Sequence, residues 1–271
     1  MRSVLLAAIH NGELQNAPAQ RVVDQLASEE FTQEFIEIRE QPALVERVDQ
    51  AELWNWRRGQ RRLESRWRNY IDRRRTDREV AASLNLVAYR FRLRVSKKFR
   101  EKQWRQRQIE KFVTAKHIHS WRQFLDSKAN TLIVLESDAA ETPDLVTHLD
   151  AALSQMAEKI PVYVNLAGGI SQSDLGIEKF IDTRMNGMTV FSRPVTNTSC
   201  AYAINRRMAE LMIHFLEDHP ETGELGIDWL FNAFFLEETS KGESVNCLHA
   251  DPPILIHGSL HGITSSWHPD R

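Results

Sequence analysis

The hydrophobic pattern at the start of the chain switches between strand-like runs and helical periodicity. Ser3 to Ile9 is a short apolar run of the kind that forms a buried strand. Between Ala19 and Ala27 the apolar positions fall at helical spacing, and Phe35 to Ile38 forms a second strand-like run. A strand, a helix and a second strand in this order predict the opening unit of a doubly wound α/β sheet.

The same alternation continues in the second half of the chain. The pattern predicts strands at Thr131 to Leu135, Pro161 to Leu166, Met188 to Phe191 and Pro252 to Ser259. It predicts helices at Val113 to Leu125, Pro143 to Met156 and Arg206 to Glu217, and a further apolar helix that begins at Gly226. The chain is therefore expected to be an α/β protein whose sheet is mainly parallel, with helices on its faces.

Two carboxylates follow the most apolar of these runs. Thr131 to Leu135 is buried-strand sequence, and Glu136 and Asp138 come directly after it. Ligands of open α/β sheets bind at the carboxyl ends of the strands, and carboxylate oxygens suit Mg²⁺ and Mn²⁺. We therefore expect a divalent cation there that holds a diphosphate; the alternative is an ordinary acidic turn. His10 and Asn11 end the first strand at the same edge and are candidates for nucleotide contact.

The segment from residue 44 to residue 112 differs in composition from the rest of the chain. It contains one glycine, Gly59, and no proline, which favours long helices. A stripe of large apolar residues is predicted to be buried: Trp54, Trp56, Leu63, Trp67, Tyr70 and Ile71. Between Arg57 and Lys111 there are 20 Lys or Arg against 6 Asp or Glu, whereas the remainder has 15 basic and 31 acidic residues. We expect a basic helical insert within a more acidic protein.

The chemistry of this insert leaves several alternatives open. Arginines interleaved with aromatic residues, as around Phe91, bind nucleic acid in some proteins. Arginine-rich helices also contact anionic membrane surfaces or phosphorylated acceptors. The simplest alternative is a helical insert whose arginine face is solvated or pairs with the acidic remainder. The acidic remainder argues against a dedicated nucleic-acid-binding protein, so nucleic acid is not the expected partner.

Composition narrows the class of protein further. The chain of 271 residues is 42% hydrophobic, which is enough for a sizeable core. Its two cysteines, Cys200 and Cys247, are too few for a disulfide framework. The apolar run Val4 to Ile9 is shorter than a usual signal-peptide core, and no run has the length of a membrane span. We expect a cytoplasmic protein. Peripheral membrane contact through the insert is compatible with that location.

Four motifs in a fixed order resemble the family 25 glycosyltransferases of lipopolysaccharide biosynthesis, which have a GT-A fold. Lys116 to Trp121 (K-H-I-H-S-W) is similar to the family's Ser-His-Ile-x-x-Trp segment, and Ile133 to Asp138 (I-V-L-E-S-D) to its strand that ends in Glu-Asp-Asp. Ala201 to Ala209 resembles the family's Ala-Tyr-x-Ile-x-x-x-x-Ala segment, and Ile227-Asp228 its Ile-Asp near the start of a late helix. The resemblance covers roughly residues 113 to 235.

This resemblance implies a single GT-A-like domain over residues 1–271, with a mixed, mainly parallel sheet. It implies a metal-dependent, inverting transferase that moves a sugar from a nucleoside-diphosphate donor to a glycan or glycolipid acceptor. Mn²⁺ or Mg²⁺ would be held by Asp138 and Glu136, with His257 as a further ligand. Inversion needs a base for the acceptor hydroxyl, and Asp228 is the candidate.

Each assignment has a structural alternative. Asp228 is also placed to stabilise the start of a helix, and His257 to be simply an exposed residue. His117, assigned to donor binding beside Glu136, fits a packed core histidine as well. The chain departs from the family at Ser137, where the family has a second acid, and in the arginine-rich insert. The alternatives are therefore a degenerate, non-catalytic transferase or an arginine-rich protein that binds nucleic acid or another anion.

Overall fold

A computed structural model describes most of the chain. It covers residues 3–10, 14, 17–28, 34–38, 48–71, 76–156 and 159–263, with the backbone alone at 76–79 and 82. The described strands are β1 Val4–Ile9, β2 Glu34–Ile38, β3 Thr131–Glu136, β4 Ala139–Glu141, β5 Val162–Asn165, β6 Ile181–Met185, β7 Met188–Phe191, β8 Ala201–Asn205, β9 Asn246–Ala250 and β10 Leu255–His257. The described helices are α1 Pro18–Ser28, α2 Gln50–Tyr70, α3 Thr76–Val95, α4 Lys97–Asp126, α5 Leu145–Leu153, α6 Gln172–Leu175, α7 Arg206–Asp218 and α8 Ile227–Lys241.

Within these ranges the strands form a central sheet of eight and a small sheet of two. The central order is β2-β1-β3-β8-β5-β9-β7-β6, and β4 pairs with β10 in the small sheet. β1 runs parallel to β2 and β3, and β5 runs parallel to β9. β8 is antiparallel to β3 and β5, and β7 is antiparallel to β6 and β9. Only β7 and β8 oppose the common direction of this sheet, which confirms the expected mixed, mainly parallel sheet flanked by helices.

Both faces of the central sheet are covered, so β1 carries apolar residues throughout. Leu5, Ala7 and Ile9 belong to the core on one face, which residues of α4, α7 and α8 complete. Val4, Leu6 and Ala8 belong to the core on the other face, with α1 and α5. A strand that is buried on both faces has no polar alternation, which is why the continuous apolar runs at β1 and β3 predicted their positions correctly.

The basic segment folds as the predicted long helices. Asp49 caps α2 by accepting from the amides of Ala51 and Glu52, and Ser96 ends α3 and caps α4 by accepting from the amide of Phe99. Helix α4 continues without a break across residue 112 to Asp126, so it joins the insert to the sheet. None of the described helices combines the length and the apolar composition that a bilayer span requires.

The insert packs on its own small core and pairs part of its charge with the protein body. Leu53, Trp56, Leu93 and Trp104 form that core. Of the predicted stripe, Trp56, Leu63 and Ile71 are buried, while Trp54, Trp67 and Tyr70 are partly buried. The buried Arg107 makes ion pairs with Glu52, 2.6 Å away, and with Glu224 of the body. Lys111 also contacts Glu224 at 2.7 Å. The acidic remainder, through Glu224, therefore neutralises part of the positive charge of the insert, which one of the alternatives predicted.

Candidate active site at the carboxyl edge of the sheet

The carboxyl ends of β1 and β3 lie side by side, because Ile9 pairs with Glu136 in the parallel ladder. β8 runs in the opposite direction, so its first residues reach the same edge. The amide of Glu136 donates to the carbonyl of Cys200 at 2.8 Å, which fixes this contact. The sheet therefore gathers Glu136, Cys200 and His10 at one edge, although they come from distant parts of the chain.

The small sheet brings His257 to Asp138. Within the β4–β10 pair, His257 lies opposite Ala139, the residue that follows Asp138. The Nδ1 atom of His257 is 3.2 Å from Oδ2 of Asp138. Two amides hold the turn in place: that of Gly258 donates to the Asp138 carbonyl at 2.8 Å, and that of Ser259 donates to Oδ2 at 3.3 Å. The predicted pairing of Asp138 with the late histidine is thus present in the fold.

Cys200 is the third member of this cluster. Its Sγ–H donates to Oδ1 of Asp138 at 3.3 Å. One ligand atom from each of Asp138, Cys200 and His257 lies within 4.8 Å of the other two. These three residues supply one carboxylate, one thiol and one imidazole, all common ligands of transition metals. The donor set therefore fits a divalent cation, and we call these three residues the Asp-Cys-His cluster.

Asp138 and His257 shift each other's pKa in opposite directions. Burial by itself would raise the pKa of Asp138, but hydrogen bonding and the charge of His257 outweigh it, with help from Ser259 and Cys200, and lower this pKa to about 2. Burial lowers the pKa of His257, yet the hydrogen bond and charge of Asp138 raise it overall. The carboxylate of Asp138 is therefore available to a cation at neutral pH.

Glu136 stands beside the cluster and is bonded to His117 instead. Its Oε1 lies 3.1 Å from Nε2 of His117, whose Nδ1 is 2.9 Å from the hydroxyl of Tyr202. The indole of Trp121 donates to that hydroxyl at 2.9 Å. When the hydroxyl of Tyr202 donates to Nδ1 of His117, the ring proton lies on Nε2, and Nε2 donates it to Oε1 of Glu136. His117 is thus both a packed core residue and the partner of a predicted site residue.

Burial perturbs both ends of this Glu136–His117 pair. It raises the pKa of Glu136 to about 8, with the charges of Asp138 and Asp228 adding to the effect. Burial likewise lowers the pKa of His117 to about 3. Asp138 and Asp228 therefore both act on Glu136 through their charge, an effect that a bound cation relieves.

Asp228 lies at the start of α8 and is partly exposed. Its Oδ1 accepts from the hydroxyl of Ser199 at 2.7 Å, in the segment that leads into β8. The cap residue of α8 is Gly226, which provides no side chain for that role. Burial raises the pKa of Asp228, against the hydrogen bond of Ser199 and the charge of His257. Asp228 therefore belongs electrically to the same site as the cluster.

Of the two remaining predicted residues, His10 lies at the edge of this site. The side chain of His10 is buried, with Nε2 2.8 Å from Oε1 of Glu37, and its carbonyl accepts from Lys116 Nζ at 2.6 Å. Its imidazole thus lies against Glu37 of the neighbouring strand β2, although neither ring nitrogen has a hydrogen-bond partner among the described residues. Asn11 lies outside the described residues.

The adjacent glycines after β5 have a packing role. A Cβ at Gly168 would come within 2.8 Å of Pro253, and one at Gly169 within 2.3 Å of Thr198. The loops that carry Pro253 and Thr198 pass too close to these positions for a side chain. The glycines therefore let these loops pack closely together.

Sequence reasoning missed Cys200 and Ser199 as site residues. Both precede β8, which was not predicted as a strand; the segment was expected only to lead into α7. A prediction of β8 as an antiparallel strand next to β3 would have placed its first residues at the ligand edge. The signal available was Ala201 to Asn205, a short uncharged run directly before a helix.

The chain matches no protein-family model and has no significant match among curated protein sequences.

Proposed function

We propose that this protein is a metal-dependent, inverting glycosyltransferase of the GT-A type, using a nucleoside-diphosphate sugar as donor and a glycan or glycolipid as acceptor. The observation that carries the proposal is the contact of Asp138 with His257 and Cys200 at the ligand edge, with Asp228 in the same electrostatic environment. The resemblance of the four motifs to the family 25 glycosyltransferases supports reading this geometry as a sugar-transfer site, because three of the motifs supply residues of the site.

The Asp-Cys-His cluster would hold the cation, with Glu136 next to it. A bound Mn²⁺ or Mg²⁺ supplies charge neutralisation for the departing nucleoside diphosphate. The imidazole of His257 makes Mn²⁺ the better candidate of the two, because Mg²⁺ prefers oxygen ligands; the thiol of Cys200 suits neither ion well. His117 positions the Glu136 carboxyl through their hydrogen bond, and Trp121 and Tyr202 hold His117.

Asp228 is the proposed general base. Asp228 is partly exposed, and its Oδ1 accepts a hydrogen bond from the hydroxyl of Ser199, which fixes the orientation of the carboxylate. Burial raises its pKa, and a raised pKa makes a carboxylate a stronger base toward an acceptor hydroxyl. In this role Asp228 takes the proton from the attacking hydroxyl while the donor lies across the carboxyl ends of β1 and β3.

The test is ligand-dependent thermal stability across a panel of nucleoside diphosphates, with and without Mn²⁺. A ligand that binds only the folded state raises the melting temperature. We expect one nucleotide to raise it only when Mn²⁺ is present. Asp138→Ala should abolish the increase, whereas Asp182→Ala, which changes an exposed aspartate on β6, should keep it.

The same experiment separates the proposal from its rivals. No shift with any nucleotide, in a folded protein, would contradict the donor site and favour an arginine-rich anion-binding protein. A Mn²⁺-dependent shift without sugar transfer to any acceptor would favour a degenerate transferase, for which Ser137 gives a reason. A shift that survives Asp138→Ala would contradict the assignment of the metal site.

A further inference from the structure

Helix α3 carries a continuous stripe of exposed apolar residues. The members of this stripe, which we call the α3 stripe, are Val80 (57% exposed), Leu84 (65%), Val87 (67%), Phe91 (64%) and Val95 (61%). Their spacing of three or four residues puts them on one face of the helix. At 1.5 Å per residue the stripe is about 22 Å long. Single exposed apolar residues are common, but an aligned row of five marks an interaction surface.

This stripe is not the face by which α3 packs on the protein. Leu93 is buried, and Tyr89 packs with it in the core of the insert, against Leu53, Trp56 and Trp104. Tyr89 and Leu93 are half a helical turn away from Val87 and Phe91, so the helix has two opposite apolar faces. The inner face accounts for the folding of the insert. The outer face is left without a partner among the described residues.

Positive charge borders the outer face. Residues 80–95 contain no Asp or Glu, and their three charged residues are Arg90, Arg92 and Arg94, all exposed. The guanidinium of Arg90 lies 5.1 Å from the ring centre of Trp54, and that of Arg92 lies 5.9 Å from that of Phe99. These rings hold the cations at the flanks of the helix. An apolar row with arginine flanks and no acid is complementary to an anionic lipid surface.

We propose that the α3 stripe lies flat on an anionic membrane surface, with its apolar side chains among the acyl chains and Arg90, Arg92 and Arg94 at the lipid headgroups. Arginine stems of this kind lie along apolar surface while the charge stays at the interface. A second copy of the protein fits the surface less well. Two α3 helices packed stripe to stripe in parallel would place their arginines side by side, and residues 80–95 contain no acid to compensate that charge. The proposal does not depend on transferase activity.

The test is co-sedimentation of the full chain with vesicles of phosphatidylcholine alone or mixed with phosphatidylglycerol. We expect binding to the mixed vesicles only, and weaker binding as salt rises. Leu84→Gln with Phe91→Gln should weaken this binding about tenfold or more. The matched control is Ile160→Gln with Met185→Gln, which changes two residues that are 47% exposed elsewhere on the protein and should leave binding unchanged.

A second measurement reports insertion directly. Both native cysteines are buried, so Val87→Cys and Met185→Cys each provide one accessible thiol for a polarity-sensitive dye. The dye at position 87 should shift to the blue with anionic vesicles, and the dye at position 185 should not. Equal vesicle binding by the wild type and by Leu84→Gln with Phe91→Gln would overturn the proposal. Failure of the wild-type protein to bind anionic vesicles would also overturn it. A dimer that Leu84→Gln with Phe91→Gln dissociates, without vesicle binding, would overturn it in favour of a second copy.

Discussion

Asp138 and His257 lie 3.2 Å apart because three-residue strands, β4 and β10, pair just beyond the central sheet. The ladder sets His257 opposite Ala139, so the register of this pair determines the distance from imidazole to carboxylate. A slip of one residue would turn the His257 side chain to the other face of the small sheet. The proposed metal site thus depends on secondary structure outside the main sheet.

The first prediction concerns this pair. His257→Gln should weaken Mn²⁺ binding by at least about tenfold. Even the mutation of a residue that only hydrogen-bonds to a metal ligand typically lowers metal affinity by that much. Titration of Mn²⁺ by calorimetry or by the magnetic resonance signal of the free ion measures the change. The control is His261→Gln, an exposed histidine one turn further along the chain. Equal affinity in the two variants would remove His257 from the metal site.

The second prediction concerns Cys200. If its thiol ligates the cation, Co²⁺ added to the wild-type protein should give an intense near-ultraviolet charge-transfer band, which only a thiolate ligand produces. Cys200→Ser should lose this band while Asp138 and His257 still bind the ion. Cys247→Ser should keep it, because Cys247 is buried elsewhere, with its Sγ–H donating to the Val195 carbonyl at 3.2 Å. A band that persists in Cys200→Ser would exclude this ligand.

The fold was predictable where burial leaves a simple pattern. β1 and β3 are apolar on both faces, and α1 carries a single apolar stripe, so their types and approximate bounds follow from periodicity. β8 and β9 were missed. Ala201 to Asn205 mixes small, aromatic and polar residues, and Asn246 to Ala250 contains a buried histidine. Whether these segments form strands depends on the strands that flank them in the sheet, and a single sequence does not reveal which strands those are.

The candidate site could be predicted only where its residues lie at the ends of predicted strands. The position of Asp138 after β3 indicated a ligand edge, and Asp228 and His257 were added through the family resemblance. Cys200 was missed, because its place in the site depends on β8 and on the direction of that strand. The α3 stripe was also missed: the alternation of arginine with Phe91, Leu93 and Val95 conceals a helix with two apolar faces.

The third prediction separates catalysis from binding. Asp228→Asn should lower the turnover number by about a hundredfold or more, the usual contribution of a general base. The Mn²⁺-dependent rise in melting temperature with the donor nucleotide should remain, because Asp228 is outside the Asp-Cys-His cluster. Activity is measured with the donor that the nucleotide panel identifies. Full turnover by Asp228→Asn would make the residue structural.

The fourth prediction concerns the hydrogen bonds behind the site. Tyr202→Phe would leave the buried indole N–H of Trp121 and one ring nitrogen of His117 without their partner. We expect a loss of about 1–3 kcal/mol in the free energy of unfolding in urea. The control is Tyr89→Phe, because the buried hydroxyl of Tyr89 has no hydrogen-bond partner within the described part of the chain. That variant should be neutral or slightly more stable; equal losses would assign the effect to the tyrosine ring contacts.

The last prediction is the pH dependence of stability that arises from His249. Its Nε2 donates to the Val195 carbonyl at 2.9 Å, and burial lowers its pKa from 6.5 to about 4. The folded state therefore keeps His249 neutral, while the unfolded state takes up a proton below about pH 6.5. Because the unfolded state then binds more protons, the contribution is complete above that pH and is lost as pH falls toward 4.

A shift of this size corresponds to about 3 kcal/mol in the free energy of unfolding. His249→Gln keeps a donor for Val195 but does not titrate, so its stability should fall less steeply between about pH 6.5 and pH 4. Urea unfolding with a chelator present measures both slopes without metal. His117, whose pKa burial lowers to about 3, preserves part of the slope in either protein. Identical slopes would mean that His249 takes up its proton without loss of the folded state.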